Sequence, residues 1–186
     1  MSRDIVYLDL ETQRTANDAG GWMRKSDMRM SIGVLFSTAT GRYEIFSEER
    51  VDHLIDRLRR AQLVVGFNLL NFDYHVLMGY TILDLCLEIP TVDLMVDLEQ
   101  RLGHRLGLDS VASATLGIKK TAGGFDAIRW WREGKMLEIA QYCCFDVKVT
   151  RLVHEYGCEH KELFFHDRFA RKQSLARLSL VWRGSL

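Results

Sequence analysis

Residues 5–12 of the chain read IVYLDLET, an apolar run that gains two carboxylates near its end. The β-branched and aromatic residues of this run predict a buried strand. Side chains two residues apart lie on the same face of a strand, so Asp9 and Glu11 are expected to project together. The pattern therefore predicts an acidic pair at the carboxyl end of a strand, at the edge of the sheet where that strand ends.

Strand and helix patterns alternate along the rest of the chain. Further strands are predicted at 30–37, 42–46 and 63–66. Ser47 is expected to cap the helix that follows it. A further helix is predicted to start near 71–73, and others are predicted near 94–102, 109–116 and 135–156. The last segment predicts a hairpin over 162–166 and 175–182. This order indicates an α/β fold, a mixed β-sheet flanked by helices, with a C-terminal β-hairpin.

The length of 186 residues suits one domain with a sizeable core. We predict that residues 1–157 form this domain and that residues 158–186 form a C-terminal extension, a hairpin packed on the same domain. The N-terminal residues contain no apolar signal core, and no apolar run approaches the roughly 20 residues of a membrane helix. The four cysteines form no Cys-x-x-Cys pair. These features predict a cytoplasmic protein with reduced thiols.

Charge balance limits how the chain can contact a polyanion. Lys and Arg number 25, and so do Asp and Glu, which gives a formal net charge of zero. No global basic field therefore attracts nucleic acid, and any contact with it must come from local patches or from bound metal.

Two later segments add to the acidic pair. Asp73 ends the stretch NLLNFD. Tyr142 lies four residues before Asp146 in a predicted helix, so these two residues share a helix face. Four carboxylates brought together carry about −4 charge and repel one another and any phosphate. Two divalent cations roughly 3.5–4 Å apart would neutralise that charge and stabilise both oxygens of a phosphodiester displacement. The oxygen ligands favour Mg²⁺, with Mn²⁺ as a substitute.

The three segments resemble the three motifs of the DEDD exonuclease superfamily, which has a ribonuclease H-like fold. Tyr142 is typical of its tyrosine subclass, whereas the histidine subclass has His where Gln141 stands. Residues 63–77, 106–117 and 130–135 also resemble the ribonuclease H-like domains found beside some superfamily 2 helicases. This resemblance covers nearly the whole chain. It implies a domain that stands alone or serves a helicase in trans, because no helicase motif is present.

The resemblance implies a 3′–5′ exonuclease. Single-stranded DNA is the first hypothesis for its substrate, and RNA stays open because no residue visibly tests for a 2′-hydroxyl. It implies that Asp9, Glu11 and Asp146 hold the metal that activates water. Asp9 would also bridge to a second metal, which Asp73 supports. Tyr142 would orient the attacking water, since a phenol of ordinary pKa near 10 is a poor base at neutral pH.

Contacts to substrate follow less directly from the resemblance. Leu10 is expected to supply backbone and a wedge against the terminal base. Asn68 is expected to touch the terminal nucleotide, with a structural role in a turn as the alternative. Lys119 and Lys120, followed by two glycines, are interpreted as a phosphate-contacting loop.

Other polar and aromatic residues receive structural interpretations. Asp93 and Asp97 lie four apart on a predicted helix and are expected to be solvated helix charges. Trp130 and Trp131 offer a base-stacking platform, but core packing is expected for at least one. Two further function classes stay open, a structure-selective endonuclease and a nucleic-acid-binding module with weak activity.

Zinc is a weak hypothesis for the late histidines and cysteine. His154, Cys158 and His160 are close in sequence, but no fourth ligand is evident. We therefore expect no zinc site from these residues.

Overall fold

Five strands form the central sheet of the computed structural model, which describes residues 4–118, 124–167 and 174–179. The strands are β1 (Ile5–Thr12), β2 (Met30–Ser37), β3 (Arg42–Ser47), β4 (Leu63–Gly66) and β5 (Thr91–Asp93), in the spatial order β3-β2-β1-β4-β5. The central strand β1 pairs antiparallel with β2 and parallel with β4. The predicted mixed sheet is confirmed.

Helices cover both faces of this sheet. They are α1 (Val51–Arg59), α2 (Tyr74–Leu77), α3 (Leu85–Glu88), α4 (Leu94–Leu102), α5 (Leu108–Leu116), α6 (Gly124–Arg132) and α7 (Met136–His160). Two short 3₁₀ segments, Trp22–Met28 and Glu48–Arg50, and a π-helical turn, Leu69–Asp73, complete the connections. Among the described residues, no helix combines the length and apolar character needed to cross a membrane.

Two apolar cores lie on opposite faces of the sheet, and β1 divides its side chains between them. Ile5 and Tyr7 pack into the core that α7 covers. Val6, Leu8 and Leu10 pack into the other core, together with apolar residues of α1. This alternation follows from the two-residue period of a strand. It places positions 9 and 11 on the same side of the sheet as α7.

Several local predictions need correction. Ser47 precedes the 3₁₀ segment Glu48–Arg50 and makes no side-chain capping bond, so it does not cap α1 directly. The α-helix expected to start near 71–73 begins at Tyr74 as α2, directly after the π-helical turn Leu69–Asp73. The three-residue β5, which directly follows Pro90, was missed because it is too short to show a period.

The C-terminal hairpin is present as β6 (Glu162–Asp167) paired antiparallel with β7 (Ser174–Ser179). Residues 180–182 of the predicted second strand lie outside the described residues. On β6, Leu163 and Phe165 are buried, and the Phe164 N–H donates to Thr115 Oγ1 of α5 at 3.0 Å. α7 continues beyond the proposed boundary at Gly157 to His160. The division into 1–157 and 158–186 stays a prediction.

A buried polar network joins β1 to α7. His154 is 2% exposed, its Nδ1 lies 3.0 Å from Tyr7 Oη, and its Nε2 lies 3.4 Å from Cys158 Sγ. Burial lowers the pKa of His154 to about 4, so the ring is neutral at neutral pH. His154 thus links Tyr7 of β1 to Cys158 near the end of α7.

This network predicts an acid-sensitive contribution to stability. The unfolded His154 takes up a proton near its ordinary pKa of 6.5, whereas the folded one does so only near 4. The unfolded state therefore binds more protons between these values, and stability falls as pH falls. We expect the shifted pKa of His154 to lower the free energy of unfolding by about 2 kcal/mol at pH 5 relative to pH 8. Urea unfolding of metal-free protein should show a smaller loss between pH 8 and pH 5 for His154→Gln than for wild type. Parallel pH curves for the two proteins would contradict this expectation.

Candidate active site

The acidic pair occupies the predicted position at the end of β1. Side-chain oxygens of Asp9, Glu11 and Asp146 all lie within 4.8 Å of one another, and Asp146 is 5% exposed. Asp9 and Glu11 come from β1, whereas Asp146 comes from α7, which packs across β1 and β2. The fold thus brings together carboxylates separated by more than 130 residues in sequence.

The helical spacing on α7 adds Tyr142 to the same place. Tyr142 is 7% exposed, and its hydroxyl is hydrogen-bonded to Asp146 one turn later. Its ring meets that of Trp130 edge-on, with centroids 6.1 Å apart. Burial, and then the charges of Asp146, Glu11 and Asp9, raise the pKa of Tyr142 far above its usual value. The phenol therefore keeps its proton and can orient a group but cannot act as a base.

Asp73 approaches the site from the π-helical turn that follows β4. Gly66 ends β4, and a Cβ there would lie 2.4 Å from the Leu69 side chain, so glycine is what lets this turn pack closely. Asp73 is 3% exposed and accepts a 3.2 Å hydrogen bond from the Leu10 N–H. Burial, with the nearby charge of Asp93, raises the pKa of Asp73 to about 7.

The other three carboxylates destabilise the charge of Asp9. Burial raises the pKa of Asp9 well above its usual range, and the charges of Asp146, Glu11 and Asp73 raise it further. Divalent cations relieve such repulsion, and a donor set made only of carboxylate oxygens suits Mg²⁺ or Mn²⁺. The residues present therefore fit a divalent metal site.

Cys143 follows Tyr142 on α7 and contacts Asp9 of β1. Its Sγ is 3.2 Å from the Asp9 carbonyl oxygen and 3.3 Å from Asp9 Oδ2, and the residue has no exposed surface. Burial and the adjacent carboxylates raise the pKa of the Cys143 thiol well above its usual range, so the sulfur carries a proton that it donates.

Comparison with known proteins agrees with this geometry. Residues 6–156 match the RNase H superfamily. The chain belongs to that superfamily. Membership of this superfamily supports a nuclease-type activity. RNase H-like nucleases use divalent metal ions, and the cluster of Asp9, Glu11 and Asp146 could bind them. A comparison with curated protein sequences finds no match.

A solved structure has a similar fold. It is the family B DNA polymerase from the hyperthermophilic archaeon Pyrobaculum calidifontis, with a TM-score of 0.61 and 18% sequence identity. The similarity covers 84% of this chain but only 25% of the polymerase chain. At this identity the similarity shows the fold alone.

Leu10 and Asn68, which were predicted to contact substrate, lie in structural environments in this RNase H superfamily chain. Leu10 is 4% exposed and packs in the core on the α1 side, so its side chain does not line the opening of the site. Its backbone N–H donates a hydrogen bond to Asp73 Oδ1. Asn68 has a left-handed backbone (φ 77°), and its N–H donates to Asp93 Oδ1 at 2.8 Å. This environment favours the structural role that was the alternative for Asn68.

The prediction that Asp93 is a solvated helix charge is wrong. Asp93 is 5% exposed and accepts hydrogen bonds from four backbone N–H groups. Two belong to the first turn of α4, at Met95 and Val96, and two belong to the turn before Asp73, at Asn68 and Leu70. Asp93 therefore caps α4 and holds the segment that carries Asp73. Its place just before the apolar stripe of α4 is a helix-start signal that could have been recognised.

The remaining predicted residues divide as follows. Asp97 is partly exposed, in line with the predicted helix-surface charge, and forms an ion pair with Arg101 Nε at 2.8 Å. Trp130 and Trp131 are partly buried against the α7-side core, which confirms core packing. Lys119 and Lys120 lie outside the described residues, so their contact with phosphate stays a prediction.

An apolar pocket beside Glu11 was not anticipated. It has a volume of about 390 Å³, and its aromatic lining consists of Trp22, Phe72 and Phe125. Trp22 and Phe125 are 66% and 83% exposed, and the Trp22 and Phe72 rings meet edge-on at 6.3 Å. Trp22 and Phe125 come from segments that no motif covers, and their convergence with Phe72 depends on the fold. Exposed rings next to a carboxylate site are suited to stacking against a planar group.

Proposed function

We propose that this chain is a metal-dependent 3′–5′ exonuclease of the tyrosine DEDD type and that its favoured substrate is single-stranded DNA. The observation that carries the proposal is the clustering of Asp9, Glu11 and Asp146 within 4.8 Å, with Tyr142 hydrogen-bonded to Asp146. The superfamily match over residues 6–156 supports the same reaction class.

Two divalent cations complete the proposed site. Asp9, Glu11 and Asp146 would hold one, and Asp73 would support the other together with Asp9. When bound, such cations lower the pKa of a water and stabilise charge on the attacking and leaving oxygens. The carboxylates themselves fix where these charges develop, since β1 and α7 are packed elements that do not need to move to bring them together.

Tyr142 positions the attacking water in this proposal. Its phenol stays protonated, so it contributes a hydrogen bond and not a base. The bond to Asp146 sets the direction of the hydroxyl, and the Trp130 ring packs against the phenol ring.

The aromatic pocket favours an unpaired strand end as substrate. A base can stack on Trp22 or Phe125 only after it has left a duplex, and such stacking contributes about 1–3 kcal/mol per base. A helicase acting in trans, which the resemblance to helicase-associated domains suggests, would supply such a strand. RNA is tested beside DNA because the same rings accept either.

Strand polarity tests the proposal. A 5′-labelled single strand with Mg²⁺ should shorten from its 3′ end one nucleotide at a time and release 5′-mononucleotides. A blunt duplex should react more slowly because its end must first unpair, and a 3′-phosphate should slow the first step. The Asp9→Ala protein, purified identically, controls for contaminating nuclease. Cleavage of a circular single strand would instead indicate an endonuclease, and tight binding without product would indicate a binding module.

Replacing the tyrosine hydroxyl should have a graded effect. Tyr142→Phe keeps the ring packed against Trp130 but removes the hydrogen bond to Asp146 and to water. We expect turnover at saturating Mn²⁺ to fall on the order of 10- to 1000-fold. Single-turnover cleavage measures this loss, and Mn²⁺ titration calorimetry sets the saturating concentration. Wild-type turnover in Tyr142→Phe would remove the tyrosine from the mechanism.

A further inference from the structure

The thiol of Cys143 links the two elements that build the metal site. Cys143 belongs to α7 and Asp9 to β1, and the sulfur contacts both the carbonyl oxygen and the Oδ2 atom of Asp9. The residue is completely buried, so water does not compete for this contact. One S–H group thus reaches the backbone and the side chain of the same carboxylate residue.

Asp9 needs such a restraint more than an isolated carboxylate would. The negative charges of Asp146, Glu11 and Asp73 all act on it, and their repulsion favours rotation of the carboxyl group away from the cluster. A donor on the opposite element restrains that rotation before any cation arrives. Partners that orient a metal ligand in this way typically change metal affinity 10- to 100-fold.

We propose that Cys143 is a positioning residue that holds the Asp9 carboxylate in its metal-binding orientation. The inference rests on the proposed function only in taking Asp9 as a metal ligand. A purely space-filling role is the alternative, because a buried cysteine also behaves as a small apolar residue. The positioning role depends on the hydrogen-bond donor of the side chain at position 143, whereas the space-filling role depends only on its volume.

The chain contains a matched control in the next residue. Cys144 is also on α7 and packs against the same core, but it is partly exposed. Cys144→Ala therefore removes a thiol from the same helix without touching the bond to Asp9. Cys143→Ser keeps a donor at the site, and Cys143→Ala removes it.

Mn²⁺ titration calorimetry on the four proteins gives the decisive readout, with thermal melting as the check on folding. We expect Cys143→Ala to bind Mn²⁺ about 10-fold more weakly, while Cys143→Ser and Cys144→Ala stay within about 3-fold of wild type. Cleavage by Cys143→Ala should need correspondingly more Mn²⁺ for half-maximal rate and approach the wild-type rate when saturated.

The outcomes separate this inference from the proposed function. Wild-type Mn²⁺ affinity in Cys143→Ala, or equal weakening in the Ala and Ser variants, would overturn the positioning role. Absence of cleavage by a wild-type protein that binds Mn²⁺ would overturn the exonuclease proposal and leave the Cys143 comparison valid. Absence of Mn²⁺ binding by wild type would overturn both.

Discussion

Asp9→Ala and Asp146→Ala should each lower nuclease turnover by roughly 10³-fold or more, because a divalent metal contributes several kcal/mol of transition-state stabilisation. Each change deletes one of three carboxylates whose oxygens lie within 4.8 Å of one another. The fold should survive, since each change also removes a charge that the remaining carboxylates repel. Single-turnover cleavage and far-ultraviolet circular dichroism measure the two quantities.

An exposed carboxylate on α1 provides the control for this prediction. Asp56 is solvent-exposed and lies in the second half of α1, away from the first turn where an acid stabilises a helix. Asp56→Ala should keep turnover within about twofold of wild type, as usual for surface changes. Near-normal turnover in Asp9→Ala would show that the acidic cluster is not the catalytic site.

Asp93→Ala should lower the free energy of unfolding by roughly 3 kcal/mol or more. The change leaves four backbone N–H groups without their acceptor, two at the start of α4 and two in the turn before Asp73. Loss of a helix cap costs about 1 kcal/mol, and each buried donor left unsatisfied costs about 1–3 kcal/mol. Urea unfolding measures this loss, and Mn²⁺ titration should show weaker binding because the turn holds Asp73.

Asp93→Asn provides an intermediate test of the same contacts. Its amide oxygen can replace Oδ1, but its NH₂ group would face the Leu70 N–H that Oδ2 now accepts. We expect a loss of about 1–3 kcal/mol. Asp97→Asn, which breaks a partly exposed ion pair with Arg101, should cost under about 1 kcal/mol. If Asp93→Asn and Asp97→Asn had equal free energies of unfolding, Asp93 would behave as the solvated helix charge predicted from sequence.

The features predicted correctly from sequence have periods that a short window reveals. The strand period places Asp9 and Glu11 on one face of β1, and the helix period places Tyr142 one turn from Asp146. The same strand period excludes Leu10 from the opening, because it alternates with the two acids and must face the other core. The resemblance suggested a wedge there, but the alternation was the stronger signal.

The features missed from sequence depend on contacts between distant segments. The pocket brings Trp22 together with Phe125, more than 100 residues later, and no local pattern indicates that approach. Asp93 is buried because the turn before Asp73 folds over it, and a helix-position argument sees only its neighbours along the chain. The bond from Cys143 to Asp9 likewise exists only once α7 has packed on β1.

Metal dependence of cleavage tests the central claim most directly. A 5′-labelled single-stranded DNA is incubated with the protein in Mg²⁺, in Mn²⁺, in Ca²⁺ and in excess chelator, and Mg²⁺ is then added back to the chelated sample. The carboxylate site predicts a ladder of shortened strands with Mg²⁺ or Mn²⁺, little product with Ca²⁺, none with chelator, and recovery when Mg²⁺ returns. Robust cleavage in excess chelator would contradict it.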